Sequence, residues 1–439
     1  MSGYSSPFSD RYGTETMREA WSRQQRVVLL FNIWTNHHNQ MAEDGGIPLA
    51  KIVDPILYLT EDKLDALIGE IDEMEKEVGH DIVAHLRVFA NHVPEGIPVL
   101  AHAGLTSSDI LDQAVLAQTL FSLFKVYQSV RELTADLCAI EHRGEDKKWL
   151  VGRTHLQPAE PTTLLHRFLL YIQDLSTWLH QAEKAITELD RYRGLMSGSV
   201  GNYRNEVFAM TGFESRPKPI HRDKRLKSQT LPRYLDLMVA SLLDQLAAIL
   251  HKAAFDYRLE SGFGNTYEGA SANRVGSSAM PYKRNPINAE CINSLARHIH
   301  HLCGNAWDNA AWQGLDRTLD DSANRRAWLP EAFIATSEIV RRSFVLFDDY
   351  TNIESINPED WEHLWEQSRE RAFNVVNRAA VQYGQPENTP FFDGVDEKYA
   401  DAMDNQLLCR FKQKLLKHPS WWERLNVPAP WALIRRKTS

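Results

Sequence analysis

The sequence predicts an all-α protein in which a bundle of long central helices is flanked by two smaller helical domains. In the middle of the chain, apolar residues recur at steps of three and four over stretches longer than an average helix. The alternation of apolar and polar residues that is typical of strands is scarce, and no segment repeats at a fixed period. Together these observations favour a helical bundle.

The length of these patterns divides the chain into three parts. Residues 1–112 form an N-terminal helical domain, in which glycine and proline break the pattern into short helices. Residues 113–352 form the central bundle, and residues 353–439, rich in tryptophan, proline and charge, form a C-terminal helical domain. Within the central part we predict helices over 113–141, 161–193, 232–262, 287–312 and 330–350. Thr162 and Thr163 can cap the second of these helices with their hydroxyl groups.

Composition excludes some classes of function. The chain has 439 residues and a formal net charge of −9, whereas nonspecific binding to nucleic acid needs a basic surface. The four cysteines show no Cys-x-x-Cys spacing, and the first residues contain no apolar core of a signal peptide. No apolar run approaches the roughly 18 residues of a membrane span. We therefore expect a cytoplasmic protein that has neither a nucleic acid nor a membrane as a partner.

Polar residues concentrate in four segments outside the helical stripes. These are HDIVAH at 80–85, HAGLTSSD at 102–109, GRTHLQPAEPTT at 152–163 and GSSAMPYKRNP at 276–286. The last segment follows a glycine-rich stretch, a composition typical of a loop that can move and present polar groups to a ligand. Hydroxyl groups after a glycine turn, and a lysine beside an asparagine on a loop, can stabilise developing negative charge.

These segments, in this order, resemble the motifs of the fumarase/aspartase superfamily. The Ser-Ala-Met-Pro-Tyr-Lys-Arg run in the last segment is most similar to that of the adenylosuccinate lyases, and the resemblance covers roughly residues 5–350. It implies a fumarase/aspartase-like fold and a carbon–nitrogen lyase of purine nucleotide biosynthesis. Such an enzyme eliminates fumarate from adenylosuccinate, giving AMP, and from succinyl-aminoimidazole-carboxamide ribotide. The resemblance also implies a homotetramer with shared active sites and neither a metal ion nor another cofactor.

Elimination of fumarate needs a base, an acid and prearranged positive charge. The resemblance implies that Ser278 is the base and His155 the acid, and that Ser277 only supports the loop. A serine can act as a base in a closed site that excludes water and surrounds the alkoxide with cations or N–H groups. A histidine suits the acid because it titrates near neutral pH.

Other residues receive supporting roles. The resemblance implies that His80 stabilises a substrate carboxylate or assists His155, and that Glu290 sets the tautomer of the acid histidine. Lys283 supplies positive charge to the carbanion. The remaining implied substrate contacts in or beside the four segments are Asp81, Thr106, Ser107, Thr154 and Asn285.

Residues outside the four segments favour a nucleotide substrate. The resemblance implies that they contact phosphate, ribose or a carboxylate, and they are Arg11, Tyr12, Gln229, Arg317, Ser322 and Arg326. Guanidinium groups suit phosphate oxygens because their planar fork of donors matches them. One departure is Gly79, which stands where family members commonly carry an arginine before the His-Asp pair.

Two alternative functions stay open at this stage. A superfamily lyase acting on argininosuccinate, aspartate or a carboxymuconate would keep the elimination residues without needing the phosphate contacts. A non-catalytic helical scaffold would need neither set. A zinc site at His298, His300 and His301 is not expected, because a two-residue step diverges on a helix and only the first and last of them share a face.

Overall fold

The structure is a computed structural model of the chain. It describes residues 5–44, 50–56, 59–95, 97, 99–144, 147–201, 205–206, 225–269, 280, 283–361 and 406–413. Ser277 and Ser278 lie outside the described residues, as does most of the predicted C-terminal domain. The division into three domains therefore stays a prediction.

The described residues are mainly helical. The helices α1 to α9 are, in chain order, Glu15–Ala20, Arg23–Asp44, Glu61–Val78, Asp81–Asn91, Ser107–Cys138, Leu164–Asp190, Tyr234–Gly262, Ile287–Ala311 and Asp320–Thr351. Two antiparallel ribbons are formed by β1 Trp149–Thr154 with β2 Gln157–Thr163, and by β3 Leu195–Met196 with β4 Asn205–Glu206. Residues 406–413 are also helical.

The long helices α5 to α9 form the bundle that the sequence predicts. Helices α7 and α8 run antiparallel, because Asn293 donates to the carbonyl of His251 whereas His300, further along α8, meets Asp244, which lies earlier on α7. The apolar stripes of these helices meet in one continuous core. Its fully buried members include Leu243, Leu246, Leu250, Ile292, Ile299 and Phe333.

The bundle has two distant ends, because α9 alone has 32 residues and spans about 48 Å at 1.5 Å per residue. At one end, Arg325 near the start of α9 pairs with Asp236 in the first turn of α7 at 2.6 Å. We call this the arginine end. At the other end, Tyr350 accepts a hydrogen bond from Arg167, in the first turn of α6, at 3.1 Å. We call this the hairpin end, because β2 leads directly into α6 there.

Two helix starts differ clearly from the prediction, and α5 begins at Ser107 rather than at 113. Helix α9 begins at Asp320 rather than at 330, and Pro330 lies inside it. Proline favours the first turn of a helix and removes a hydrogen bond inside one, so the sequence predicted a start at this residue. The turns before it are held by tertiary contacts that propensity does not reveal: Leu329 is buried, and Arg325 makes ion pairs with two helices.

A second apolar cluster lies in helices α2 to α4 and the first turns of α5. Phe31 and Phe89 meet edge to face in it, with ring centres 5.2 Å apart. Helix α7 is the one described helix that is long and apolar enough, by composition, to cross a membrane. Core helices share this composition, and one side of α7 is fully buried in the bundle at Val239, Leu243, Leu246 and Leu250.

Candidate active site

A cavity of about 180 Å³ lies at the arginine end between α1, α2, α5 and α9. Three residues predicted to contact a nucleotide, Arg317, Ser322 and Arg326, line it together. Much of its remaining wall is apolar, formed by Trp21, Leu111, Val115 and Leu329. The volume is smaller than the roughly 300 Å³ at which small-molecule pockets begin, so the cavity can take only part of a nucleotide.

Buried ion pairs form one side of this cavity. Asp112 of α5 accepts hydrogen bonds from Arg233 at 2.8 Å and from Arg325 at 3.0 Å, and Arg233 also pairs with Asp321 at 2.5 Å. Burial acts to raise the pKa of Asp112, but the two guanidinium groups outweigh it and hold this pKa below its usual range. The ionised network fixes the first turns of α9, which carry two of the predicted nucleotide contacts.

Thr106 and Ser107 lie at the same end, where α5 begins. Thr106 donates to one oxygen of Asp109 through its backbone N–H at 2.9 Å and its hydroxyl at 3.0 Å. The other oxygen of Asp109 accepts from the Lys227 ammonium at 2.6 Å and from the backbone N–H of Ser197 at 2.9 Å. This fully buried pair fixes the turn that carries Ser107 and the first N–H groups of α5, the positive end of the helix dipole.

His80 and Asp81 stand at the start of α4. The exposed His80 ring accepts a backbone N–H of the first turn at 3.4 Å. The same oxygen of Asp81 pairs with Arg26 at 2.5 Å and with Arg326 at 3.0 Å. Burial acts to raise the pKa of Asp81, but the hydrogen bond from His85 and the guanidinium groups hold it well below its usual range. Asp81 therefore binds an arginine that is itself a predicted phosphate contact.

Gln229 links the segment before α7 to its surroundings. Its side-chain amide donates to the carbonyl of Ser199 at 3.0 Å. The neighbouring Ser228 hydroxyl donates to the carbonyl of Asp316 at 2.9 Å, beside Arg317. The amide nitrogen of Gln229 carries two N–H donors, so this bond leaves one of them for the predicted contact with a substrate carboxylate.

The predicted acid, His155, lies at the tip of the hairpin β1–β2. Thr154 pairs with Gln157, so His155 and Leu156 form a two-residue turn, with φ of +53° and +64°. Two positive φ values define the type I′ turn, whose twist matches the flanking strands. Such angles are unfavourable for histidine and more so for leucine, and backbone strain of this kind clusters at functional sites. His155 and Thr154 are exposed, so the imidazole is available to a surface outside this chain.

Lys283, Asn285 and Glu290 surround the start of α8, also towards the hairpin end. Lys283 is exposed, and its backbone N–H donates to the carbonyl of Met280 at 3.0 Å. Asn285 is half-buried in the turn that precedes the helix. Glu290 is exposed and lies 3.9 Å from the guanidinium of Arg258. Among the described residues, its ionic partner is thus a cation of its own chain and not the predicted acid histidine.

Arg11 and Tyr12 lie along the middle of α9. The next residue, Gly13, has φ of +83° and approaches α9 so closely that an added Cβ would lie 2.3 Å from the Ile334 Cγ2 atom. Arg18 donates to the carbonyls of Tyr12 and Gly13 at 3.1 and 2.7 Å. These contacts hold the segment so that Tyr12 packs on the bundle core while Arg11 stays exposed.

Known proteins match a large part of the chain. A family of lyases matches residues 98–300. The adenylosuccinate lyase of Schistosoma mansoni is 32% identical over 345 residues, which cover 76% of this chain and 70% of the relative. That of Schizosaccharomyces pombe is 30% identical over 351 residues, covering 77% and 71%. This chain belongs to the adenylosuccinate lyase family.

Solved structures confirm the predicted fold class of this family member. The 3-carboxy-cis,cis-muconate lactonizing enzyme of Pseudomonas putida superimposes with a TM-score of 0.62 at 18% identity, over 97% of this chain and 94% of its own. A fumarate lyase from Mesorhizobium sp. BNC1 gives a TM-score of 0.58 at 17% identity, over 99% of each chain. At these identities the likeness shows the mainly helical, fumarase/aspartase-like fold alone.

Within one chain of this adenylosuccinate lyase family member, the described candidate residues fall in three places. The arginine end holds His80, Asp81, Thr106, Ser107, Gln229, Arg317, Ser322 and Arg326. The region towards the hairpin end holds Thr154, His155, Lys283, Asn285 and Glu290, and the middle of α9 holds Arg11 and Tyr12. Arg326 and Tyr350 mark the two ends on α9 and lie about 36 Å apart along its axis.

Sequence reasoning missed the ion-pair network of Asp112, Arg233 and Arg325 at the arginine end. It also missed Arg26, Asp109 and Lys227, which organise the same end. The Thr-x-x-Asp spacing of Thr106 and Asp109 is that of a helix capping box, and it could have identified the carboxylate. Nothing comparable identified Arg26 or Lys227, because their partners lie far away in the sequence.

Proposed function

We propose that the chain is an adenylosuccinate lyase of purine nucleotide biosynthesis. It eliminates fumarate from adenylosuccinate to leave AMP, and from succinyl-aminoimidazole-carboxamide ribotide to leave the corresponding amine. The observation that carries the proposal is the cavity at the arginine end, where Arg317, Ser322 and Arg326 converge. Guanidinium and hydroxyl groups on an apolar wall suit the phosphate and ribose of a nucleotide.

The reaction breaks one C–H bond and one C–N bond. A base removes a proton from the carbon beside a carboxylate, the electron pair becomes the double bond of fumarate, and the departing nitrogen takes a proton. We assign the base to Ser278 and the acid to His155. The exposed position of His155 on a tight turn supports its role, because the imidazole can reach a substrate held on another surface.

The charge that develops on the substrate carboxylate needs donors that are fixed before the reaction. Asp109 and Lys227 fix this turn through Thr106, so that the Ser107 hydroxyl and the first N–H groups of α5 are held at the positive end of the helix. Lys283 adds an ammonium group and Asn285 an amide from the hairpin end. His80 and Gln229 take the second carboxylate at the arginine end, and Glu290 orients the imidazole of the acid.

We further propose a cytoplasmic homotetramer with active sites shared between subunits. The distance of about 36 Å between the two ends of α9 supports sharing, since it exceeds the length of the substrate. Large apolar side chains on the described surface support an assembly that covers them: Trp307, Trp312 and Leu315 are 58%, 71% and 99% exposed. The four cysteines are unpaired, as expected in a reducing compartment.

The test is an ultraviolet assay of fumarate release from both nucleotide substrates. We expect turnover of at least one of them, and a loss of several orders of magnitude in kcat for Ser278→Ala and for His155→Ala. Ser277→Ala is the matched control for the base, and His300→Ala, an exposed histidine paired with Asp244, is the control for the acid. Full activity of Ser278→Ala together with an inactive Ser277→Ala would assign the role of the base to Ser277 instead. Turnover of argininosuccinate or another non-phosphorylated substrate alone would overturn the proposed substrate.

A further inference from the structure

Arg26 is a cation at the arginine end that no motif singled out. It lies in the first turn of α2 and lines the same cavity as Arg317, Ser322 and Arg326. Its guanidinium is partly buried, with 28% of the side chain exposed.

Arg26 and Arg326 converge on one oxygen of Asp81, at 2.5 and 3.0 Å. The other carboxylate oxygen faces the buried His85 ring at 3.1 Å. The two guanidinium groups repel each other, and the negative charge of the Asp81 carboxylate between them offsets this repulsion. One carboxylate balances one of the two positive charges, so the cluster of Arg26, Arg326 and Asp81 keeps a net charge of about +1 towards the cavity.

The two arginines therefore have different tasks in this cluster. Arg26 makes the shorter contact with Asp81, and its side chain is 28% exposed, against 51% for that of Arg326. It is therefore the better partner for the carboxylate. The residue before His80 supplies no cation, because Gly79 has no side chain and only caps the end of α3, with φ of +65°. If Arg26 were absent, Asp81 would be neutralised by Arg326 alone.

We propose that Arg26 is a positioning residue of the substrate site, which neutralises Asp81 and thereby leaves the guanidinium of Arg326 available to a nucleotide phosphate. The proposal deepens the proposed function and rests on it for the identity of the phosphorylated ligand. It predicts that Arg26 controls phosphate affinity although it does not touch the reacting atoms.

The test is calorimetric titration of the purified protein with AMP and with adenosine, which lacks the phosphate. We expect Arg26→Gln to weaken AMP binding about tenfold, the loss of roughly one charge-assisted hydrogen bond. Adenosine affinity should not change. Arg26→Lys should recover part of the loss, and KM for adenylosuccinate should rise with little change in kcat.

Arg23→Gln is the matched control, because Arg23 lies on the same helix and pairs with Asp72 but is exposed and does not line the cavity. We expect wild-type AMP affinity for it. A second variant separates charge from folding: adding Asp81→Asn to Arg26→Gln removes the competing carboxylate and should restore AMP affinity towards that of the wild type.

Three outcomes would overturn the proposal. They are an unchanged AMP affinity in Arg26→Gln, an equal loss of adenosine affinity, and a wild-type protein that binds no AMP. The proposed function is tested separately by fumarate release from the wild type. If the wild type turns over and Arg26→Gln binds AMP as the wild type does, the proposed function stands and the role of Arg26 is refuted. If AMP binding depends on Arg26 but the wild type releases no fumarate, the role of Arg26 stands and the proposed function is refuted.

Discussion

The substitution Lys227→Met tests how much the buried pair of Lys227 and Asp109 stabilises the arginine end. Both side chains are completely buried, and the ammonium lies 2.6 Å from the carboxylate. Methionine keeps the length of the lysine chain but removes its charge, so the carboxylate stays buried without a cation. Removing one partner of a buried pair costs about 3–5 kcal/mol. Three hydrogen bonds to Asp109 remain, from Ser197 and Thr106, so we expect a loss of about 3 kcal/mol.

The assay is urea unfolding of the wild type, Lys227→Met, Asp109→Asn and the double variant. The double variant should be less destabilised than the sum of the single changes, because neither partner is left as an unpaired charge. Lys76→Met removes an exposed ion pair with Glu73 and should leave the unfolding midpoint unchanged. A Lys227→Met protein within about 1 kcal/mol of the wild type would refute the reasoning, as would strictly additive single effects. We also expect lower kcat/KM, because Asp109 holds the turn of Thr106.

Two further predictions concern other parts of the chain. Gly13→Ala should raise KM for the nucleotide about tenfold in initial-rate assays, because the φ of Gly13 is +83° and the new Cβ would lie 2.3 Å from the Ile334 Cγ2 atom. Gly69→Ala is the control, because nothing lies within 4 Å of a Cβ added there. Equal KM values for the two variants would contradict the prediction. Burial raises the pKa of Asp54 from 3.8 to about 6, so the neutral form is favoured in the folded state and this stabilisation is lost as pH rises from about 4 to about 6. Asp54→Asn should therefore be more stable than the wild type at pH 7.5, by up to about 3 kcal/mol, but not at pH 4. If the unfolding midpoints of the two proteins differ equally at both pH values, ionisation of Asp54 is not the cause.

Local patterns predicted the helices well, because the spacing of apolar residues is a property of the sequence itself. The helix expected over 232–262 is observed at Tyr234–Gly262, and that expected over 287–312 at Ile287–Ala311. The error at Pro330 has a different origin. The turns before it are helical because ion pairs and buried side chains hold them, and these contacts join residues far apart in the sequence.

The motifs likewise predicted which residues are polar and lie outside the helical stripes, but not which of them meet. The positive φ of His155 depends on the register of β1 and β2, which no residue type in the turn indicated. The network of Asp112, Arg233 and Arg325 joins three helices, and an arginine on a helix is more often a solvated charge. A sequence without a structure gives no reason to pair them.

The separation of the two ends leads to a prediction about mixed subunits. His155→Ala and Arg326→Gln should each be inactive alone, whereas co-expressed and jointly purified subunits should regain about a quarter of wild-type fumarate release, since that share of randomly mixed shared sites receives both intact residues. Thr106→Ala mixed with Arg326→Gln is the control, because both residues lie at the arginine end of one chain and every site would keep one defect. Recovery in both mixtures, or in neither, would show that the hairpin end of one subunit does not complete the arginine end of another.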